Sequence, residues 1–193
     1  MSSHGSPANK LDARVQAFAK LLELSFRRGK FKLASGKESD FYLDLKPTMF
    51  NPEGASLLAQ LVLDRIKELP VDYVGGLELG AVPVVTTVAM LSAGTARPIP
   101  GFFVRKAVKD HGTKRLVEAV NDLTGKNVVI LEDVTTTGGS AMQAIAAARA
   151  AGANIILVLS IVDRGEGALE FFQQRGIAFQ WLFQMQDFIA ATA

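Results

Sequence analysis

The chain has no cysteine. Disulfides and thiolate metal sites are therefore excluded, which fits a reducing compartment and makes the cytoplasm the expected location. Histidine is nearly absent: His4 and His111 are the only two and lie far apart in sequence, so they suggest no imidazole metal site. One tryptophan and two tyrosines leave twelve phenylalanines to supply most of the aromatic packing. Long hydrophobic runs are missing. Gly, Pro or charge interrupts each apolar stretch before it could span a bilayer, so no membrane partner is expected. The N-terminal MSSHGSPANK lacks the apolar core of a signal peptide. A large charge of one sign is missing too. Lys and Arg number 21 against 19 Asp and Glu, a net +2 that makes no global case for nucleic acid.

What is present is ordinary for a globular enzyme-sized domain. In 193 residues, 49% are hydrophobic and 21% charged, enough for one full core. Residues 1–9 read as a disordered extension and 10–193 as a single domain.

Leu11, Val15, Phe18, Leu22 and Phe26 recur at helical spacing, predicting an amphipathic helix over 10–28, ended by Gly29. Phe31, Leu33, Phe41, Leu43 and Leu45 alternate with polar residues, predicting two short strands around Ser35-Gly36-Lys37. A second helix opens at Asn51-Pro52-Glu53 and runs toward Pro70 on a stripe of Leu57, Leu58, Leu61, Val62, Ile66 and Leu69. From Asp72 the pattern becomes α/β. Strands are predicted over 73–77, 100–104, 128–131, 155–162 and 179–183, with helices over about 83–91, 141–151 and 168–174. The five methionines and Trp181 read as packing.

The organising stretch is Asn127 to Ala141, NVVILEDVTTTGGSA. An apolar β-branched run leads into Glu132 and Asp133. Val134, Thr135, Thr136, Thr137, Gly138, Gly139 and Ser140 follow, and then a good helix former. A helix N-terminus has unpaired N–H groups and a partial positive charge, so it attracts phosphate. Glycines let backbone approach the anion, and hydroxyls add donors. The two carboxylates would repel phosphate and should face hydroxyls, such as those of a ribose, or a metal ion. One turn can thus hold both ends of a sugar phosphate. No Gly-Lys-Ser/Thr follows, so this is not a Walker loop.

Four further stretches carry chemistry. Arg105-Lys106-Ala107-Val108-Lys109-Asp110-His111-Gly112 packs three cations and a histidine into a loop able to close over a polyanion. Ser35 to Lys46 is a charged hairpin. Gly75-Gly76-Leu77-Glu78-Leu79-Gly80-Ala81-Val82-Pro83 is a glycine-rich strand-to-helix turn suited to pyrophosphate. Asp163-Arg164-Gly165-Glu166-Gly167 places an arginine after a buried strand. There it can either grip a ligand carboxylate through paired hydrogen bonds or form a local pair with Asp163 or Glu166.

From Leu11 to Phe183 these stretches, in this order, resemble the orotate phosphoribosyltransferases of the type I phosphoribosyltransferase family. The resemblance implies that family's fold: a central, mostly parallel sheet flanked by helices, with a small N-terminal hood from about 30–46 and the C-terminal region. It implies transfer of phosphoribosyl from phosphoribosyl pyrophosphate to orotate, with Mg²⁺, in a homodimer with shared active sites. It assigns the sugar phosphate to Glu132, Asp133 and Val134–Ser140. Arg105, Lys106, Lys109 and His111 fall to pyrophosphate, with Lys106, Lys109, His111 and Asp133 catalytic. Thr136 and Arg164 fall to orotate. The chain departs from the family at two places: Ala34 stands where many members have Lys, and Leu79-Gly80 where some have Tyr-Lys. Two other readings stay open: a transferase for another base, such as a purine, and a non-catalytic sensor of phosphoribosyl pyrophosphate. The run Arg27-Arg28-Gly29-Lys30-Phe31-Lys32 could give such a sensor an RNA patch, though a solvated helix end explains it as well.

Overall fold

The computed structural model describes residues 7–32, 38–107 and 115–193, with side chains from residue 12 onward. Fifteen elements follow one another among them: α1 (Pro7–Leu24), β1 (Phe26–Lys32), β2 (Glu38–Leu43), α2 (Lys46–Phe50), α3 (Pro52–Ile66), β3 (Tyr73–Leu77), α4 (Val82–Ser92), β4 (Gly101–Val104), β5 (Val117–Ala119), β6 (Asn127–Thr135), α5 (Gly139–Ala150), β7 (Asn154–Asp163), α6 (Ala168–Gln173), β8 (Phe179–Gln184) and α7 (Met185–Ala191). Six strands form one sheet in the order β5-β4-β3-β6-β7-β8. All its pairings are parallel except that of β4 with β5. The expected mostly parallel α/β sheet is therefore present.

The central strands are apolar on both faces, as a covered parallel sheet requires. In β6, Val129 and Leu131 point into a core shared with α1, α3 and α4. Val128 and Ile130 point into a second core with Ala141, Ala144 and Ile145 of α5. All four strand residues are fully buried. At about 2 kcal/mol for each fully buried large aliphatic, this strand alone contributes strongly to holding both layers together.

β1 and β2 form a separate antiparallel hairpin. The first helix both starts and ends earlier than its periodicity implies, taking in residues 7–9 that the sequence assigns to the extension. It ends at Leu24, and Phe26 already pairs with Leu43 in the hairpin. Its buried positions are Ala17 and Leu21, whereas Val15 is 60% exposed. Gly29 lies inside β1 rather than at a helix end. α3 begins as anticipated: Asn51 caps it by accepting the Gly54 N–H at 3.0 Å. Phe18, Phe183, Phe188, Phe26 and Phe41 form a chain of ring contacts that ties α1, the hairpin and α7 to the sheet. Among the described residues no helix is long and apolar enough to cross a membrane.

Candidate active site

β6 is longer than its apolar run suggests. Its register with β7 continues through Glu132↔Ser160 and Val134↔Val162 to Thr135↔Asp163. Strand pairing thus carries the two carboxylates into the sheet's carboxyl edge, where open α/β sheets bind ligands. Glu132 is buried, and its Oε1 has no hydrogen-bond partner. Burial pushes its carboxyl up to about 8; the Asp133 charge adds to the shift and Lys106 opposes it. Asp133 is half-buried and also pushed up by burial. The Val134 N–H, donated to its Oδ1 at 2.8 Å, and the charge of Lys46 pull the other way.

After Thr135 the chain turns into α5. Gly138 occupies the N-cap in the left-handed region, at φ 90°, and no side chain caps the helix. A Cβ there would come within 2.8 Å of the Phe172 ring, so the turn is pressed onto α6. The first turn of α5 carries no acidic residue. Glu132, Val134, Thr136, Gly139 and Ser140 all border the small hollow at this helix start. Thr136, Thr137, Gly139 and Ser140 are exposed, while Thr135 is buried with its hydroxyl unpartnered. An uncapped N-terminus with hydroxyls around it has the donors and partial positive charge that suit an anion.

Four other stretches meet this edge. The β3–α4 turn leans on it: a Cβ at Gly80 would lie 2.7 Å from Asp133 Oδ1. Lys106, at the root of the charged loop, donates its backbone N–H to Glu78 Oε1 at 3.0 Å. Arg105 pairs with Glu118 at 2.9 Å and lies 5.4 Å from the Phe103 ring centroid. Lys109 and His111 lie outside the described residues, as does Ala34. Arg164, following β7, donates its backbone N–H to the Thr135 carbonyl at 2.9 Å, so β6 and β7 set it beside the phosphate turn. Its guanidinium carbon lies 5.5 Å from the Phe41 ring centroid, which brings the hairpin over the same edge. Of the two local partners the sequence left open, the structure selects Glu166, at 2.8 Å.

Sequence reasoning does not assign three contributors. Lys46 and Asp44 pair at 2.6 Å, and both act electrostatically on Asp133. By sequence Glu78 falls in a turn, with no sign of its bond to Lys106. Nothing in the spacing signals that bond or the influence of Lys46 and Asp44 on Asp133, because each joins segments separated by at least 28 residues.

Fold and turn together define a phosphoribosyl transferase domain, and the family model of that description matches residues 49–172. Orotate phosphoribosyltransferase from Bradyrhizobium sp. strain BTAi1 is 50% identical over 178 residues, covering 89% of this chain and 96% of its own. Mycobacterium tuberculosis H37Rv orotate phosphoribosyltransferase in complex with Fe(III) dicitrate superimposes with a TM-score of 0.81 at 34% identity, covering 91% of this chain and 98% of that one. The same enzyme in complex with 5-phospho-alpha-D-ribosyl 1-diphosphate gives 0.77 at 31%, with the same coverage. The chain belongs to the orotate phosphoribosyltransferase family of pentosyltransferases.

Proposed function

We propose that this chain transfers the phosphoribosyl group from phosphoribosyl pyrophosphate to orotate, giving orotidine 5-phosphate and pyrophosphate in pyrimidine biosynthesis. Alongside kinship, the observation that carries this reading is the register of β6 with β7. It sets the Glu132-Asp133 pair, the open helix start and Arg164 along one sheet edge.

The 5-phosphate sits against the N–H groups and hydroxyls of Thr135–Ser140. Glu132 and Asp133 receive the ribose hydroxyls. Departing pyrophosphate builds negative charge as the sugar carbon becomes cationic. Lys106 stands at that edge, and Lys109, His111 and Arg105 belong to the same loop and supply further positive charge. Orotate, held through its carboxylate by Arg164 and flanked by Thr136, attacks through its ring nitrogen. No covalent enzyme intermediate is needed, so positioning and charge do the work.

Among the described residues no group of three His, Cys, Asp or Glu forms a metal cage. The unpartnered Glu132 Oε1 and its neighbour Asp133 instead suit a hard ion that arrives largely on substrate oxygens. Mg²⁺ held there would neutralise the charge of the leaving pyrophosphate. Residues 10–193 act as one domain. The enzyme works in the cytoplasm as a homodimer whose loop 105–112 serves its neighbour's site.

The test mixes protein, orotate, phosphoribosyl pyrophosphate and Mg²⁺ and follows orotate absorbance. Loss that requires all components supports the reading. No loss, with phosphoribosyl pyrophosphate binding still measurable by calorimetry, moves the assignment to another base or to a sensor.

A further inference from the structure

Arg164 is a cation that stands largely out of water. Its side chain is 16% exposed, and that of Glu166 is 46% exposed. Arg164 Nε and Glu166 Oε1 are 2.8 Å apart, yet buried Nε makes no hydrogen bond. The carboxylate therefore balances the charge without engaging the guanidinium as a well-aligned hydrogen-bonded partner would. Glu166 also stands between two glycines in left-handed backbone conformations. Gly165 and Gly167, on either side, have φ +71° and +94°, and a Cβ at either would meet nothing within 4 Å. In this turn the Gly165 N–H donates to Asp163 Oδ1 at 3.2 Å, and the Gly167 carbonyl accepts the Phe171 N–H at 3.1 Å. Arg164 itself is fixed, by Thr135 through its backbone and by the Phe41 ring beside its guanidinium.

Resting on the proposed role of Arg164 in holding the base, we infer that Glu166 is an internal stand-in for the substrate carboxylate. It occupies Arg164 while the base site is empty and swings aside on its two glycines when orotate arrives. The arrangement has a chemical use. Arg164 adjoins a turn built for phosphate, and a bare guanidinium there would capture phosphate or pyrophosphate. A weakly aligned carboxylate repels those anions, but a planar carboxylate that makes the paired hydrogen bonds displaces it. Glu166 is thus a specificity-determining residue acting through Arg164, and it need not touch the reacting atoms.

Glu166→Gln removes the competing charge and keeps the size. Partly exposed ion pairs are worth little, so the KM for orotate should fall by about two- to five-fold. The kcat and the KM for phosphoribosyl pyrophosphate should stay within about two-fold. Inorganic phosphate, added at saturating phosphoribosyl pyrophosphate, should become competitive with orotate in this variant, whereas in wild type and in Glu166→Asp it should not. A structural role alone would not move that inhibition pattern. An unchanged or higher KM for orotate in folded Glu166→Gln overturns the inference. Arg164→Ala separates the two levels. If it leaves the KM for orotate unchanged, the base-site assignment is wrong and the inference falls with it. If it raises that KM while Glu166→Gln changes nothing, the base site stands and only the stand-in role is lost.

Discussion

Gly80 lies so close to the Asp133 carboxylate that a Cβ at residue 80 would stand 2.7 Å from Oδ1 and 2.8 Å from Oδ2. The β3–α4 turn and the end of β6 are thus in direct contact, the Gly80 backbone against the Asp133 carboxylate. In this chain the turn offers backbone, not charge, and its closeness to Asp133 is what it gains. Gly80→Ala must push Asp133, and a displacement of about 1 Å near reacting groups can cost about 100-fold. We expect kcat/KM for phosphoribosyl pyrophosphate to drop by about 10- to 100-fold, with Tm little changed, in the orotate-absorbance assay. Wild-type kinetics in this variant would show that Asp133 has no role that depends on its position.

Glu132 sets a pH dependence whose sign is fixed by its burial. Its folded-state carboxyl is raised from 4.5 to about 8, so the folded protein holds this proton more tightly than the unfolded chain does. That stabilisation is complete below about pH 4.5 and is lost as pH climbs toward 8. Glu132→Gln has no proton to lose. The Tm of the variant minus that of wild type should therefore widen between pH 5 and pH 9. At about 1.4 kcal/mol per pKa unit and about 2–4 °C per kcal/mol, a gain on the order of ten degrees is the scale to look for. A constant difference across that range in scanning calorimetry would mean that Glu132 ionises as an ordinary surface carboxylate.

The parallel strands were legible because both their faces are buried, which leaves short β-branched runs bounded by Gly, Pro and charge. The predicted strand over 73–77 is β3 residue for residue. The phosphate turn was legible because its chemistry is local: acids, hydroxyls, glycines and a helix within fifteen residues. What escaped depends on partners distant in sequence. Phe26 continues the stripe of α1 at helical spacing, and only its pairing with Leu43 pulls it into a strand. Val117–Ala119 sits in a charged stretch and becomes β5 because the edge of β4 is there to pair with it. Glu132 to Thr135 look like a turn by composition, yet β7 holds them in the sheet. The bond from Lys106 to Glu78 and the fit of Gly80 to Asp133 leave no periodic trace at all.

The charged loop is tested best by its cations. Removing one aimed charge often costs about 100-fold in kcat. Lys109→Ala should lose that much while affinity for orotate holds, and full activity would remove the loop from the mechanism. If the loop serves its neighbour's site, mixing Lys109→Ala with Asp133→Ala should restore part of the activity, because hybrid dimers then contain one intact site. With subunit exchange demonstrated by a tagged partner, absence of recovery would place the loop over its own subunit's site.

Glu78 makes the last prediction, because it joins the β3–α4 turn to the loop. Its backbone N–H donates to the Val104 carbonyl at 2.8 Å, and its side chain accepts the Lys106 N–H at 3.0 Å. On the loop's other flank, Arg105 donates its N–H to the Leu116 carbonyl at 2.8 Å and pairs with Glu118. The loop therefore leaves from a root fixed on both sides, and Glu78 ties that root to the turn expected to hold pyrophosphate. Glu78→Ala loses one hydrogen bond, a net effect of about 0.5–1.5 kcal/mol, or roughly 2- to 10-fold. That loss should appear in kcat, with the KM for orotate unchanged, because the tie matters when the loop's cations meet the leaving group. Glu78→Gln keeps an acceptor oxygen at the same reach and should recover most of the rate. If alanine and glutamine reduce kcat alike, the carboxylate acts through its charge, and the hydrogen bond to Lys106 is incidental.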